Sequence, residues 1–245
     1  LRLAILSDIH GNAHALDRCL DDLASRGSAD VVVAAGDLCL DGPKPKKVLE
    51  RLQAIGARCL RGNTDRMVGE ADLEQLDPED ARGVAWARAK IGEERAQWLA
   101  ALPQTLAFGD GEDGLLVCHA NPLSDDEHVW PDAYDDTLEH FFDGVTQRTV
   151  AFGHLHLAYV RVWRGRTLVN VASAGLPKDG DPNAHYAILT QRSGGWEVQS
   201  RRVPFDVEKV VKQLRKSGIP DLAKRVETLR RHRYPKLGPP GSVIP

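Results

Sequence analysis

Cysteine is scarce in this 245-residue chain, and the four that occur, Cys19, Cys39, Cys59 and Cys118, stand far apart with no Cys-x-x-Cys pair. That scatter excludes a thiolate zinc site and a dense disulfide framework, and it suits a reducing compartment. No unbroken apolar run is long enough to span a bilayer. The first residues already read as a strand, with no charged segment, apolar core and cleavage site, so a cytoplasmic location is the expectation. Excess basic charge is missing as well. The 32 Lys and Arg against 35 Asp and Glu leave a net charge of -3, which argues against a surface that binds polyanions throughout. Any phosphate recognition must be local. There is no internal repeat and no linker-like stretch, so one large α/β domain is the simplest organisation.

What the chain does have is a series of short apolar runs that end in chemistry-bearing residues. Leu3 to Leu6 runs into Ser7, Asp8, Ile9 and His10. At an extended strand end Asp8 and His10, two apart, would point the same way and could grip one cation. Gly11 permits a sharp turn, and Asn12 can cap the helix that follows. Ala13, Leu16, Leu20 and Leu23 recur at helical spacing until Gly27. Asp30 to Ala35 reads as a second strand, opening into GDLCLDGP with Asp37 at its end. Val48, Leu49, Leu52 and Ile55 make a second helix, and Ala57 to Leu60 a third strand that leads into RGNTD, with Asn63 and Thr64. The pattern is β-α-β-α-β. Right-handed crossovers then give a parallel sheet whose carboxyl ends gather Asp8, His10, Asp37 and Asn63 on one edge.

Arg66 to Pro103 is charged, alanine-rich and helical, an excursion expected to pack beside the sheet edge rather than to act as a lid. From Gly114 the strands return. LLVC ends at His119, and Thr149 to Phe152 ends in Gly153, His154, Leu155 and His156; between them lie an acidic loop carrying His128 and a short helix from Thr137 to Phe142. Tyr159 to Trp163, Thr167 to Val171, Tyr186 to Thr190 and Trp196 to Arg201 follow with turns between them, as an antiparallel meander would. A helix with Val207, Val210, Val211 and Leu214 inward precedes one from Asp221 to about His232. The second bears Lys224, Arg225, Arg230, Arg231 and Arg233, a basic face that reads as a solvated helix surface rather than a nucleic-acid site. The expected fold is α/β, two face-to-face mixed β-sheets flanked by helices. One domain would cover residues 1–233 with its excursion at about 66–103, and a loosely held tail residues 234–245.

Asp8, His10, Asp37, Asn63, His119, His154 and His156 all sit at the ends of these apolar segments. Any one such histidine is more often a plain hydrogen-bonded residue, but seven ligand-type groups converging at strand ends are hard to reach by chance. Carboxylate, imidazole and amide donors suit Mn²⁺, Fe or Zn²⁺ better than an all-oxygen calcium cage. One aspartate bridging two ions would hold them roughly 3.5 to 4 Å apart, the spacing used for in-line attack on phosphorus.

In order, DIHGN, GDLCLDGP, GNTD, VCHANP and GHLH resemble the blocks of the calcineurin-like metallophosphoesterases: Asp-x-His, Gly-Asp, Gly-Asn-His followed by an acid, a lone His, and Gly-His-x-His. ERAQWLAALP and NVASAGLPKDGDPNAHYAIL extend the likeness to small bacterial and archaeal members related to symmetrical diadenosine tetraphosphatases. The resemblance implies two divalent ions, Mn²⁺ foremost, with Fe, Zn²⁺ or Ni²⁺ also compatible. Asp8, His10, Asp37 and His156 would hold the first, and Asp37, Asn63, His119 and His154 the second. It implies catalytic roles for Asp37, Asn63 and His119, substrate contacts from Asn63 and Thr64, and hydroxide attack on the phosphorus of a small substrate such as a nucleotide or phosphodiester.

Two departures stand out. Thr64 occupies the place where most relatives carry a histidine thought to orient the phosphate or protonate the leaving oxygen, and a threonine cannot give up a proton near neutral pH. His14 and His128 are the candidate replacements. Val171 and Ala172 stand where Pro-Gly is usual, while Asn170 and Ser173 are kept. Without the arginine of Gly-Asp-x-x-Asp-Arg-Gly, GDLCLDG does not look like a protein phosphatase. The rival from another class is a non-catalytic metal-binding scaffold of the same fold, as the retromer subunit is thought to be.

Overall fold

The alternation in the first apolar run decides the layering. In the computed structural model, which describes residues 1–234, β1 (Arg2–Leu6) turns Leu3 and Ile5 toward a second sheet and Ala4 and Leu6 toward helices. After it come α1 (Ala13–Ser25), β2 (Val31–Ala35), α2 (Pro45–Ala54) and β3 (Arg58–Leu60). The pairs β1–β2 and β2–β3 are parallel, as right-handed crossovers require. Asn12 caps α1 by accepting from the Ala15 amide at 3.1 Å.

The excursion forms α3 (Asn63–Glu70), a 3-10 turn (Leu73–Gln75), α4 (Pro78–Ile91) and α5 (Glu93–Ala100). Val84, Ala87, Ile91, Ala96 and Leu99 pack into the same core as α1 and α2. The second sheet contains β4 (Thr105–Phe108), β5 (Leu115–Cys118), β6 (Thr149–Phe152), β7 (Ala158–Trp163) and β8 (Arg166–Val171), in the order β4-β5-β6-β8-β7. Its inner residues Leu115, Val117, Ala151, Val169 and Val171 meet Leu3, Ile5, Val33 and Ala35 across the sandwich. Each such fully buried Val, Leu or Ile side chain contributes about 1.5 to 3 kcal/mol. On its outer face Val150, Phe152 and Leu168 pack on α6 (Asp135–Phe142).

The chain then returns to the first sheet as β9 (Ala184–Arg192) and β10 (Gly195–Val203), giving the order β10-β9-β1-β2-β3. The last four strands are therefore not one meander. They are two hairpins in different sheets, and β9 pairs antiparallel with β1, Leu3 opposite Leu189. Burial explains the switch: Ala187 and Leu189 add to the inter-sheet core while Tyr186 and Ile188 face the helices. β4, which lacks a clear period of two, is a strand the sequence did not announce.

The helices α7 (Val207–Ser217) and α8 (Leu222–Arg231) close the fold around Val210, Val211, Leu214 and Leu229. The cations of α8 are largely engaged: Lys224 with Glu79, Arg225 with Asp41, Arg230 with Glu208 and Arg231 with Glu227. Tyr234 packs against Trp130, ring centroids 6.1 Å apart. Residues 235–245 of the expected tail lie outside the described residues. The architecture is two mixed five-stranded sheets face to face, flanked among the described residues by eight helices. No helix among those residues is long and apolar enough to cross a membrane.

Candidate metal centre

The loops at the strand ends are wound, not extended. Asp8 (φ 54°), His10 (φ 46°), Asp37 (φ 55°), His154 (φ 66°) and His156 (φ 56°) all adopt the left-handed conformation. For an L-residue that conformation costs roughly 1 to 2 kcal/mol each, and it persists only where neighbours fix it. Here the first loop is laced to the second. The Asp8, His10 and Gly11 amides donate to the carbonyls of Gly36, Asp37 and Leu38 at 3.0, 2.9 and 2.9 Å. Asp8 and His10 thus reach one point by a tight curl rather than by the two-residue period of a strand.

Two glycines let the loops close. A Cβ on Gly62 would stand 2.3 Å from Asp37 Oδ1, and one on Gly153 would stand 2.4 Å from Asp8 Oδ2 and 2.0 Å from Ser7 Oγ. The Gly of each block is the point where one ligand loop touches another. His154 then donates its backbone N–H to Asp8 Oδ2 at 2.8 Å, joining the two sheets' loops.

Six of the seven candidate ligands fall into two triads, Asp8 with His10 and His156, and Asp37 with His119 and His154, the donor atoms of each within 4.8 Å of one another. The seventh, Asn63, places Oδ1 3.2 Å from His119 Nε2. Backbone carbonyls fix the imidazole tautomers: Nδ1–H of His10 donates to Leu40 at 3.1 Å, that of His119 to Ala35 at 2.8 Å, and that of His156 to Leu176. Their Nε2 lone pairs therefore face inward. His154 is reversed, its Nε2–H donating to the Asp126 carbonyl at 2.8 Å and leaving Nδ1 for the site. His10 Nε2 and His156 Nε2 lie 3.2 Å apart, and Asp8 Oδ1, buried and without a hydrogen-bond partner, lies 3.1 Å from His156 Nε2. Acceptors crowded on one point repel unless a proton or a cation sits among them.

Protonation favours the cation. Burial, then the charge of Lys178, pulls the His156 pKa down to about 4, and burial with the charge of His119 does the same to His154. Both rings are neutral at neutral pH, with lone pairs free to bind. Burial would raise the Asp8 carboxyl, but His156, His119 and His10 together hold it below the usual carboxylate range. Asp37 is likewise lowered, since His119 and His10 outweigh burial and the charge of Asp8. His119 moves the other way: Asp37 and Asp8 overcome its burial and raise it. This donor set, two anionic carboxylates, an amide oxygen and four oriented imidazoles, fits a pair of divalent transition-metal ions.

Several groups support the candidate ligands. Asp65, fully buried, accepts from Leu38 N at 2.9 Å and Gly62 N at 3.0 Å, tying the Asp37 loop to α3; burial and the Asp37 charge push its pKa up to about 7. Its position three residues after Gly62 is the capping-box spacing, which was there to be read. Ser173 Oγ donates to the Asp8 carbonyl at 2.7 Å, and Asn170 Nδ2 to the Gly153 carbonyl at 2.7 Å. Ala172 between them has φ 58°, which explains why a glycine suits that place. Arg66 clamps Asp125 through both its Nε and an Nη at 2.9 Å, holding the loop whose next carbonyl receives His154. Thr64 gives its backbone N–H to Asp37 Oδ1 at 3.0 Å, and its buried hydroxyl has no partner. His128 stands beside the centre, its ring 4.4 Å from that of His154 and stacked on Trp130. His14 does not: its Nε2 accepts from the Asp206 amide at 3.3 Å, at the start of α7.

The sequence model of the calcineurin-like phosphoesterase superfamily domain matches residues 1–194. An uncharacterized protein of Methanocaldococcus jannaschii is 25% identical over 237 residues, covering 89% of this chain and 94% of that protein. The crystal structure of a metallophosphoesterase from Sphaerobacter thermophilus is similar at a TM-score of 0.73 and 25% identity, over 95% of this chain and 99% of that one. A hypothetical protein from Pyrococcus horikoshii shares the fold at a TM-score of 0.82 and 17% identity, over 94% and 98% of the two chains.

Proposed function

The chain belongs to the calcineurin-like phosphoesterase superfamily, and from that premise we propose that it is a dinuclear metal-dependent hydrolase of small phosphodiesters or nucleotides. One observation carries this reading: two ligand triads meet at the strand ends with their tautomers set and an unpartnered carboxylate oxygen among them. Asp8, His10, Asp37 and His156 would hold one ion, and Asp37, Asn63, His119 and His154 the other. Ions bound there, Mn²⁺ foremost, supply an activated nucleophile and neutralise charge on the phosphoryl group.

The chain's own residues orient and select. Asn63 Oδ1 and Asp37 Oδ1 lie 3.2 and 3.4 Å from His119 Nε2, and the neighbouring Thr64 hydroxyl is a buried donor without a partner. Thr64 cannot protonate a leaving group, so good leaving groups are favoured, as in phosphoanhydrides and aryl diesters. The test is metal analysis of the purified protein together with turnover of bis(p-nitrophenyl) phosphate in Mn²⁺. Turnover that Asp37→Asn abolishes is expected. Metal without turnover would select the scaffold reading, against which the retained set of seven ligand-type residues argues.

A further inference from the structure

Beside the metal centre lies a cavity of about 300 Å³ whose walls include Asp41, Leu176, Lys178, Arg225 and Tyr234. Three of these wall residues also touch the ligand loops. Asp41 Oδ2 is 3.9 Å from His10 Nδ1, the Leu176 carbonyl accepts from His156, and the Tyr234 hydroxyl donates to the Leu155 carbonyl at 2.8 Å, between the two late histidines. An antiparallel bridge between Asp179 and Arg233 holds the end of the described chain in this place. The wall from α8 and Tyr234 lies beyond residue 194, where the superfamily match ends.

The cations of this wall are not equivalent. Arg225, Lys224 and Arg231 are each satisfied by a carboxylate, on Asp41, Glu79 and Glu227. Lys178 and the exposed Arg233 form no salt bridge among the described residues, and the Lys178 ammonium sits 5.2 Å from the centroid of the Tyr234 ring. Its backbone N–H donates to the His156 carbonyl at 3.3 Å, which anchors it one residue-width from the metal ligands. Burial lowers its pKa, and the carboxylates that act against this are Asp8, Asp41 and Asp37, so the ammonium lies within the field of the metal site. A half-buried cation with no carboxylate in contact is unfavourable, and a phosphate oxygen would satisfy it.

We propose that this cavity is a subsite for a second, non-scissile phosphate, bound by Lys178, and that it selects substrates carrying a diphosphate, such as a nucleoside diphosphate. The proposal rests on the phosphoesterase reading, because it needs the first phosphate to be seated at the metal centre. A charge-assisted contact from Lys178 should be worth about ten- to hundredfold in affinity.

The experiment is titration calorimetry of the Mn²⁺-loaded protein with AMP and with the non-hydrolysable α,β-methylene-ADP. The wild type should bind the diphosphate analogue at least about tenfold tighter than AMP. Lys178→Met should bring the two affinities together, while Lys178→Arg keeps most of the difference; Lys178→Gln serves if the Met variant does not fold by circular dichroism. No preference in the wild type, including no binding of either nucleotide, overturns the proposal, and so does an undiminished preference in Lys178→Met. Bis(p-nitrophenyl) phosphate has no second phosphate, so its turnover by the wild type tests the parent reading separately. Turnover without a diphosphate preference removes the subsite alone.

Discussion

Adding one methyl group at Gly153 should dismantle both metal positions at once. An alanine Cβ there would lie 2.0 Å from Ser7 Oγ, 2.4 Å from Asp8 Oδ2 and 2.5 Å from Ser7 Cβ, so the GHLH loop must move away from β1. Overpacking of this kind costs about 1 to 3 kcal/mol. The move also breaks the 2.8 Å bond from His154 N to Asp8 Oδ2, worth about 1.5 to 3 kcal/mol for a charged acceptor. Together these amount to about 2.5 to 6 kcal/mol, or roughly 10²- to 10⁴-fold in metal affinity if the ions enforce the native geometry. Because His154 belongs to one triad and His156 to the other, both should weaken. Gly165→Ala is the control: its φ of 77° strains an alanine by about 1 to 2 kcal/mol, but nothing lies within 4 Å of the added carbon. The assay is metal content by mass spectrometry after dialysis, with thermal melting beside it. A Gly153→Ala protein that retains the wild-type metal content would refute the loop-closure argument, whereas loss in both variants would point to general destabilisation.

Thr64→His should raise turnover of alkyl phosphodiesters more than that of nitrophenyl esters, since only the former need a proton on the leaving oxygen; equal gains on both would count against the missing-acid account. Ala172→Gly should raise stability by about 1 kcal/mol in denaturant titration, because it relieves a left-handed alanine at φ 58°. Metal uptake should release a proton at pH 6. There the raised pKa of His119 leaves it protonated in the free protein, and ligation needs it neutral. The release should vanish as the pH rises through the His119 pKa. Calorimetry in two buffers of different ionisation enthalpy measures it, and a pH-independent proton count would contradict the assignment.

The first half of the fold was legible because parallel β-α-β units obey strong rules. Apolar runs at Leu3 to Leu6 and Val31 to Ala35, with helices between, leave little choice of topology, and strand ends converge by construction. The pairing of β9 with β1 was not legible. Those strands are far apart in sequence, and a turn followed by alternating residues does not say which sheet it joins. The seven candidate ligands could be picked out from residue types at strand ends, and six of them fall in the two triads, but the left-handed backbone that aims Asp8 and His10 could not be read, because it is imposed by hydrogen bonds to the Asp37 loop. Lys178 and Tyr234 were invisible for a similar reason. Each is ordinary in its local sequence and acquires meaning only where the 179–180 turn bridges to the end of α8.

The central claim is that seven side chains from both sheets hold a pair of cations, and anomalous diffraction from Mn²⁺-soaked crystals tests it most directly. Two peaks about 3.5 to 4 Å apart are predicted, one among Asp8, His10 and His156 and one among Asp37, His119 and His154. Manganese bound elsewhere, or no peak at either triad, would contradict the account.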